Sequence, residues 1–296
     1  PENGRLVLPG IYNRTDRAFL LADKNKELKT FREKDNIIIS IPSTPPDLSN
    51  SVVVLDLIGK PDVNDPPVIM DKQNIFIDQM NVSITTEREN IEIYYTTDGT
   101  NPNTKSRVAG DSVIITETSL ITAQTFRDGI PVSGTTQSLF TKVVPHQGLK
   151  INKADQGLRY EYFEGSWDSL PDFDKLNKVK TGVISNIDIS DRVQDNLFGF
   201  VFEGLILIQA KGVYSFFTDS DDGSQLFIGD NLVVDNDGLH SMTEAKGSVA
   251  LDTGYHPIRV TYFEKGGANL LEVYYENARF EKQSIPDNLL FHIKKG

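Results

Sequence analysis

Residues 198–240 read FGFVFEGLILIQAKGVYSFFTDSDDGSQLFIGDNLVVDNDGLH, and this stretch carries the clearest β-strand pattern of the chain. Apolar residues form runs of strand length at Phe198–Ile208, Val213–Thr218 and Gln225–Ile228. The Gly229-Asp230-Asn231 sequence that follows is typical of a tight turn, because such residues adopt the positive φ that short hairpin loops require. The stretch therefore predicts successive strands joined by a hairpin.

The same pattern extends through the rest of the chain. Further runs of strand length are Ile37–Ile41, Val52–Ile58, Ile91–Thr97, Ser112–Ile115, Leu120–Phe126, Ile258–Tyr262 and Leu270–Tyr275. The sequence shows no convincing amphipathic helix of more than three turns. These observations predict an all-β fold.

The composition excludes several classes of function. A formal net charge of -12 and a pI near 4.8 disfavour binding to nucleic acid or to an anionic membrane surface, since both need clustered Lys and Arg. Uncharged ligands such as glycans stay compatible. No apolar run is long enough to insert into a membrane, and no signal peptide is recognisable. A start at Pro1 suggests a fragment or a processed chain.

One hairpin is unusually acidic. No Lys or Arg lies between Lys211 and Lys246 to offset its carboxylates. Carboxylates this dense repel one another unless they are solvated, protonated or neutralised, and a hard cation such as Ca²⁺ prefers oxygen ligands. The hairpin therefore suggests a cation site, although the spacing is not that of an EF-hand. The acidic residues concerned are Asp219, Asp221, Asp222, Asp230, Asp235 and Asp237.

Two Pro-rich joints divide the chain. The first runs from Pro61 to Pro67 and the second covers residues 144–148, where proline and glycine interrupt the strand pattern. The predicted division comprises a partial β-sandwich, a second module, a linker and a last domain. Their limits are 1–64, 65–145, 146–156 and 157–296.

Three of these segments resemble known families. Residues 65–144, with IEIYYTTDGTNPN and SLITAQTFRDGIPVSG, resemble the immunoglobulin-like module at the C-terminal end of chitobiases and hexosaminidases. Residues 157–293, with GYHPIRVTYFEKGGANLLEVYY at 254–275 and IPDNLLFH at 285–292, resemble the anthrax protective-antigen domain family. The resemblances imply consecutive β-sandwich domains, with an immunoglobulin-like spacer followed by a barrel-like β-sandwich that is common in glycosidases and adhesins.

The first segment resembles the end of the C-terminal β-sandwich of bacterial α-L-fucosidases. The residues concerned are ENGRLVLPG and SVVVLDLIGKP. This resemblance implies that a catalytic barrel lies before Pro1 and that the present chain is not itself an enzyme. It further implies a bacterial secreted, periplasmic or cell-surface location, with a glycan and the catalytic domain of the same parent chain as partners.

The protective-antigen resemblance also implies a ligand set. Sugar-binding adhesins of that family hold Ca²⁺ with an adjacent aspartate pair, which Asp221 and Asp222 match, and with an Asn on a nearby loop, for which Asn269 is the best candidate. Neighbouring strand residues point to opposite faces, so both carboxylates reach one ion only through an unusual backbone such as a cis peptide. Trp167, the only tryptophan, is a candidate for stacking on a sugar ring.

Other interpretations stay open. Asp side chains also satisfy backbone N–H groups in tight turns, so the pair has a purely structural interpretation, and Trp167 has one as a packing residue. The domains would then be spacers or scaffold modules on the catalytic barrel. Catalysis by the acidic hairpin is disfavoured, because Asp in Gly-rich turns is expected to be solvated and ionised.

Overall fold

A computed structural model describes residues 4–33, 36–47, 50–70, 73–110 and 112–293. The chain forms two compact units. Unit 1 comprises Pro1–Asn74 and Gln79–Thr141, and unit 2 comprises Ile75–Asp78 and Lys142–Gly296. The described residues form 26 strands in several sheets, which confirms the all-β fold. Within those residues no helix has the length and apolar character needed to cross a membrane.

Unit 1 contains the first strands of the chain. In order they are β1 (Arg5–Pro9), β2 (Thr15–Leu20), β3 (Asp23–Leu28), β4 (Thr30–Glu33), β5 (Asn36–Ser40), β6 (Val53–Leu57) and β7 (Val68–Met70). Strand β8 (Ile75–Phe76) belongs to unit 2. The chain then returns to unit 1 for the strands that follow β8. They are β9 (Met80–Thr85), β10 (Glu92–Thr96), β11 (Arg107–Val108), β12 (Val113–Ile115), β13 (Ser119–Arg127) and β14 (Ile130–Lys142).

Two pairs of small sheets build unit 1. Strands β1, β5 and β4 form one sheet and β3, β2 and β6 another, and buried Ala18, Leu28, Ile37 and Ile39 pack between them. The immunoglobulin-like part contains a sheet of β12, β9 and β7 and a sheet that includes β11, β10, β13 and β14.

A polar cluster joins these two parts inside unit 1. Both oxygens of Asp62 pair with guanidinium groups, at 2.8 Å from Nε of Arg88 and 2.6 Å from Nη2 of Arg127. Both guanidinium groups also lie over the ring of Tyr12, at 5.2 Å and 5.3 Å from its centroid. Because the side chain of Arg88 is only 4% exposed, this ion pair is largely withdrawn from water.

Unit 2 contains the longer strands. Its first strands are β15 (Asp155–Gln156), β16 (Leu158–Glu164), β17 (Lys180–Ile184), β18 (Phe198–Ile208), β19 (Gly212–Asp221) and β20 (Ser224–Ile228). The others are β21 (Asn231–Asn236), β22 (Thr243–Leu251), β23 (Gly254–Glu264), β24 (Leu270–Asn277), β25 (Phe280–Ser284) and β26 (Leu290–His292). Short 3-10 helices span Phe173–Lys175 and Asp287–Leu289.

Two sheets enclose the core of unit 2. Eight strands form the larger sheet, in which β18, β23, β20 and β21 are consecutive neighbours, and β22, β19, β24 and β25 form the smaller one. Their inner faces bury an aromatic-rich core that includes Tyr162, Phe200, Phe216 and Tyr262. Burying such large apolar surfaces supplies most of the driving force for folding, which explains the long apolar runs of the sequence.

The segment predicted as a linker runs beside these sheets. His146 donates its backbone N–H to the carbonyl oxygen of Ala250 at 2.9 Å, and Leu149 and Tyr255 exchange backbone hydrogen bonds of 2.7 Å and 3.2 Å. Residues 146–149 are therefore anchored to the body of unit 2.

Candidate metal centre

The acidic pair lies where the chain passes from one sheet to the other. Strand β19 of the smaller sheet ends at Asp221, and β20 of the larger sheet begins at Ser224, so Asp221, Asp222 and Gly223 form the crossing. The peptide bond between the two aspartates is cis. Asp221 is 8% exposed and Asp222 is 5% exposed. The expectation that these carboxylates are solvated is therefore wrong, because the crossing lies between the two sheets.

A third carboxylate, missed in the sequence, completes the centre. Glu264 is fully buried at the end of β23, and one carboxylate oxygen each from Asp221, Asp222 and Glu264 lie within 4.8 Å of one another. Strand register brings Glu264 there, since Ser224 pairs with Tyr262 and the N–H of Phe263 donates to Gly223 O at 3.0 Å. The signal in the sequence is weak: an acidic residue that alternates with the buried Tyr262 just before a Gly-Gly loop.

Hydrogen bonds hold Asp222 and the backbone of Asp221. The Oδ1 and Oδ2 atoms of Asp222 accept the backbone N–H groups of His240, at 3.2 Å, and of Lys265, at 2.9 Å. The phenol of Tyr262 donates to the carbonyl oxygen of Asp221 at 2.5 Å and lies 3.3 Å from Oε2 of Glu264. The centre is thus positioned partly by the backbone of two loops.

Two buried oxygen atoms in this region have no hydrogen-bond partner in the described part of the chain. They are Oε1 of Glu264 and Oδ1 of Asn269. Leu270 pairs directly with Asp221, so Asn269 lies beside the crossing. A buried oxygen without a donor costs free energy, and a cation bound between such atoms would remove that cost.

The pKa shifts at the centre also favour a bound cation. Burial, followed by the charges of Asp222 and Asp221, raises the pKa of Glu264 from 4.5 to about 7. The pKa of Tyr262 is also raised, chiefly by burial and then by the charge of Glu264. Both shifts show that further negative charge is disfavoured here, and a bound cation would reverse that.

The donor set fits Ca²⁺. Carboxylate and amide oxygens are its preferred ligands, and no His or Cys belongs to the acidic cluster. Gly267 closes one side in the left-handed region, with φ +132, and a Cβ added there would lie 3.6 Å from Oδ1 of Asp221. The buried triad of Asp221, Asp222 and Glu264 could hold a metal ion, and Asn269 lies next in the chain to Leu270, which pairs with Asp221.

A buried polar cluster, here named the clasp, flanks the crossing. The hydroxyl groups of Ser220 and Ser224 are 2.8 Å apart, one residue outside the crossing on each side. Nδ2 of Asn236 donates to Oγ of Ser220 at 3.1 Å and to the carbonyl oxygen of Thr243 at 2.8 Å. These side chains fix the ends of the crossing but lie outside the acidic triad.

The other predicted ligand residue, Trp167, packs against the protein. Its ring lies edge-on to Phe173 at 6.0 Å, beside a small core of Phe163, Phe173 and Val201. The next residue, Asp168, pairs with Nζ of Lys265 at 2.5 Å, and Lys265 follows Glu264. The segment around Trp167 therefore borders the loop after β23 while its indole ring covers apolar side chains.

The remaining aspartates of the hairpin have separate surroundings. Asp230 is exposed in a turn, Asp235 accepts a hydrogen bond from Gln225 at 2.9 Å, and Asp237 accepts the N–H of Leu170 at 2.7 Å. Asp219 stands opposite Glu244 and Glu272, and burial followed by these charges raises its pKa. Of the acidic residues of the hairpin, only Asp221 and Asp222 belong to the buried triad, while Asp237 lies beside the crossing near Gly223.

Two parts of the chain match known domain families. Residues 155–289 match the PA14 domain, the protective-antigen type, and residues 72–138 match the chitobiase/β-hexosaminidase C-terminal domain. A comparison with curated proteins gives no match.

Several solved structures are similar to this chain. The PA14 sugar-binding domain from an RTX adhesin has 18% sequence identity, covering 47% of this chain and 99% of that chain, with a TM-score of 0.41. The epithelial adhesin 6 A domain from Candida glabrata, in complex with Galβ1-3GlcNAc, has 12% identity, covering 49% and 90% respectively, with a TM-score of 0.40. An anti-sigma factor domain-containing protein from Clostridium clariflavum has 16% identity, covering 84% and 97%, with a TM-score of 0.41. The acidic centre lies within residues 155–289, the segment that matches the PA14 domain, and the segment that matches the chitobiase/β-hexosaminidase C-terminal domain precedes it in the chain.

Proposed function

We propose that this chain is the non-catalytic accessory region of a secreted bacterial glycoside hydrolase and that its PA14 domain binds glycan through Ca²⁺. The observation that carries the proposal is the buried triad of Asp221, Asp222 and Glu264 with unpartnered oxygen atoms of Glu264 and Asn269. Both matched domains are of non-catalytic accessory type. Catalysis would belong to the parent enzyme, which we propose is similar to an α-L-fucosidase.

Charge explains why the centre needs an ion. Burying several carboxylates together costs desolvation and repulsion, and a divalent cation offsets both at one point. Coordination number explains how a sugar would enter. Calcium takes about six to eight oxygen ligands, and the acidic triad with Asn269 supplies only part of that shell. Backbone carbonyls, water and sugar hydroxyl groups would complete it.

Calorimetric titration with calcium, followed by a glycan array with and without a chelator, tests the proposal. We expect Asp221→Asn and Asp222→Asn each to lower calcium affinity by at least about tenfold, since removal even of groups that only support a ligand has that effect. Asp230→Asn is the matched control, because Asp230 is exposed in a turn of the same domain. Calcium-independent retention of glycan, or no retention in either condition, would contradict the proposal.

A structural role is the second candidate, and one observation favours it. Both oxygens of Asp222 accept backbone N–H groups, so this side chain ties three segments together without an ion. In that case the domains would space or shield the catalytic barrel. Deletion of residues 65–296 from the parent enzyme would then lower its stability, whereas a chelator would leave both stability and substrate retention unchanged.

A further inference from the structure

A pocket in unit 2 lies where one strand of the larger sheet changes its neighbour. Strand β18 pairs with β16 as far as Glu203, which stands opposite Arg159, and with β26 from Leu205, which stands opposite Phe291. Within the described residues, Gly204 therefore has a strand partner only on the side of β23. A pocket of about 340 Å³ opens beside it, large enough for a small ligand.

The charged side chains of this pocket form a row across three neighbouring strands. Arg159 of β16 stands opposite Glu203 of β18, and Glu203 stands opposite Arg259 of β23. Glu203 pairs with Arg259, at 3.4 Å from Oε1 to Nη1, and Asp174 lies 3.3 Å from Nη2 of the same guanidinium group. The carboxylate between the two arginines is therefore engaged by Arg259.

The other arginine has no carboxylate partner in the part of the chain that the structure describes. Arg159 donates from Nη2 to the carbonyl oxygen of Ile293, which leaves further N–H groups of its guanidinium group for a ligand. His292 is 8% exposed, and its Nδ1 lies 3.1 Å from the carbonyl oxygen of Gly157, which fixes the neighbouring wall. The chain carries a formal net charge of -12, so no general excess of positive charge accounts for this half-buried cation.

The surface beside Arg159 is mainly apolar. Leu205 is buried there, and Pro257 and Ile293 are exposed at the same pocket. An apolar surface next to one cationic, hydrogen-bonding group matches a ligand with an anionic head and an apolar body, because the polar group orients the ligand while the apolar area binds the rest of it.

We infer that this pocket binds a small organic carboxylate, with its carboxylate on Arg159 and its apolar part against Leu205, Pro257 and Ile293. The planar guanidinium group donates to both oxygens of a carboxylate at once, which an ammonium group cannot do with the same geometry. A bare inorganic anion would leave the apolar surface exposed to water, so the pocket favours a carboxylate that carries an apolar group.

This pocket is separate from the acidic centre. Arg259 and Glu264 lie on the same strand, about 17 Å apart along its axis, and the acidic triad does not line the pocket. The inference therefore depends on neither calcium nor glycan binding.

Nuclear magnetic resonance titration of the chain with phenylacetate tests the inference. Phenylacetamide is the matched probe, because it keeps the ring and removes the charge, and inorganic phosphate supplies charge without an apolar part. We expect phenylacetate to shift the signals of Arg159 and His292 and to bind at least about tenfold more tightly than either other probe, since a charged hydrogen bond contributes that much. Equal affinity for phenylacetate and phenylacetamide, or for phenylacetate and phosphate, would overturn the inference.

Variants of the arginine locate the site. Arg159→Gln should lower the affinity for phenylacetate by at least about tenfold, and Arg159→Lys, which keeps the charge but loses the planar fork, should lower it less. The control is Arg279→Gln, the same change at an exposed position outside the pocket, which should keep the wild-type affinity. If Arg159→Gln fails to fold, the three probes on the wild-type chain still decide the question.

Calcium separates this pocket from the acidic centre in the same titration. Phenylacetate should bind equally well in calcium and in a chelator. Binding that needs calcium, with shifted signals at Asp221 and Asp222 instead of Arg159, would assign the carboxylate to the acidic centre and overturn the pocket. Loss of calcium-dependent glycan retention, by contrast, would leave this inference intact.

Discussion

Glu264 is the residue in which the cost of the acidic centre is concentrated. Its carboxyl is fully buried, one oxygen lacks a partner in the described part of the chain, and its pKa is raised to about 7. A raised pKa means that the folded state binds this proton more tightly than the unfolded state. The resulting stabilisation is complete below pH 4.5, the ordinary pKa of the carboxyl, and is lost as the pH rises through about 7.

We therefore expect the calcium-free protein to lose stability between about pH 5 and pH 8, where Glu264 becomes ionised while buried. Urea unfolding in a chelator at both pH values measures this loss. Glu264→Gln, which carries no titrating proton, should flatten the dependence, and calcium should abolish it in the wild type by neutralising the carboxylate. An equal pH dependence in Glu264→Gln and the wild type would contradict this assignment.

At the scale of elements, the crossing from β19 to β20 is held by the clasp. Ser220 and Ser224 are both fully buried and lie outside the acidic triad, so removing one hydroxyl alters positioning without removing a carboxylate. We expect Ser220→Ala to cost about 1 kcal/mol of stability and to lower calcium affinity by about tenfold.

The same strand offers a matched control. Ser215 is also fully buried on β19, and its hydroxyl is 3.0 Å from that of Ser248, far along the strand from the crossing. Ser215→Ala should cost similar stability and leave calcium affinity unchanged in titration calorimetry. If both variants bind calcium equally well, the clasp has no positioning role.

The apolar pattern of the sequence predicts some strands and misses others. The apolar pattern predicts a strand over Phe198–Ile208, the bounds of β18, because both ends and most of its length are apolar. Strand β22, TEAKGSVAL, was not predicted, since its first half is polar and exposed and Gly247 interrupts it. Gly247 is required there, because an added Cβ would collide with the carbonyl group of Val233.

The candidate site is likewise only partly predictable from local sequence. Asp221 and Asp222 are adjacent in the sequence, so their pairing as a site was visible from local pattern alone. Glu264 joins them only through the pairing of β20 with β23, and no local pattern reveals which residues of two distant strands stand opposite each other. Burial of the two aspartates depends on the same long-range packing. The local sequence does not show that packing, so it indicates solvated side chains instead.

At the scale of the whole molecule, unit 1 depends on an ion cluster at its Pro-rich joint. Removing Asp62 would leave the buried guanidinium of Arg88 without its counter-ion, and breaking such a pair costs about 3 kcal/mol or more. We expect Asp62→Ala to destabilise unit 1 by about that amount and to leave calcium binding in unit 2 unchanged. Chemical denaturation with parallel calcium titration measures both.

An exposed ion pair in the same unit provides the comparison. Asp56 pairs with Arg17 at 2.7 Å, and both side chains are more than a third exposed. Asp56→Ala should therefore cost no more than about 1 kcal/mol. A similar loss for the Asp56 and Asp62 variants would show that the joint is no stronger than an ordinary surface contact.

The position of Trp167 gives the molecule a built-in optical probe. It is the only tryptophan of the chain, it lies in unit 2, and the neighbouring Asp168 is tied to the loop that also donates a backbone N–H to Asp222. Selective excitation of indole therefore reports on unit 2 alone, without labelling. A change of tryptophan emission on addition of a chelator would show that the loop after β23 moves when the ion is lost. Unchanged emission would mean that the indole ring keeps its contact with Phe173.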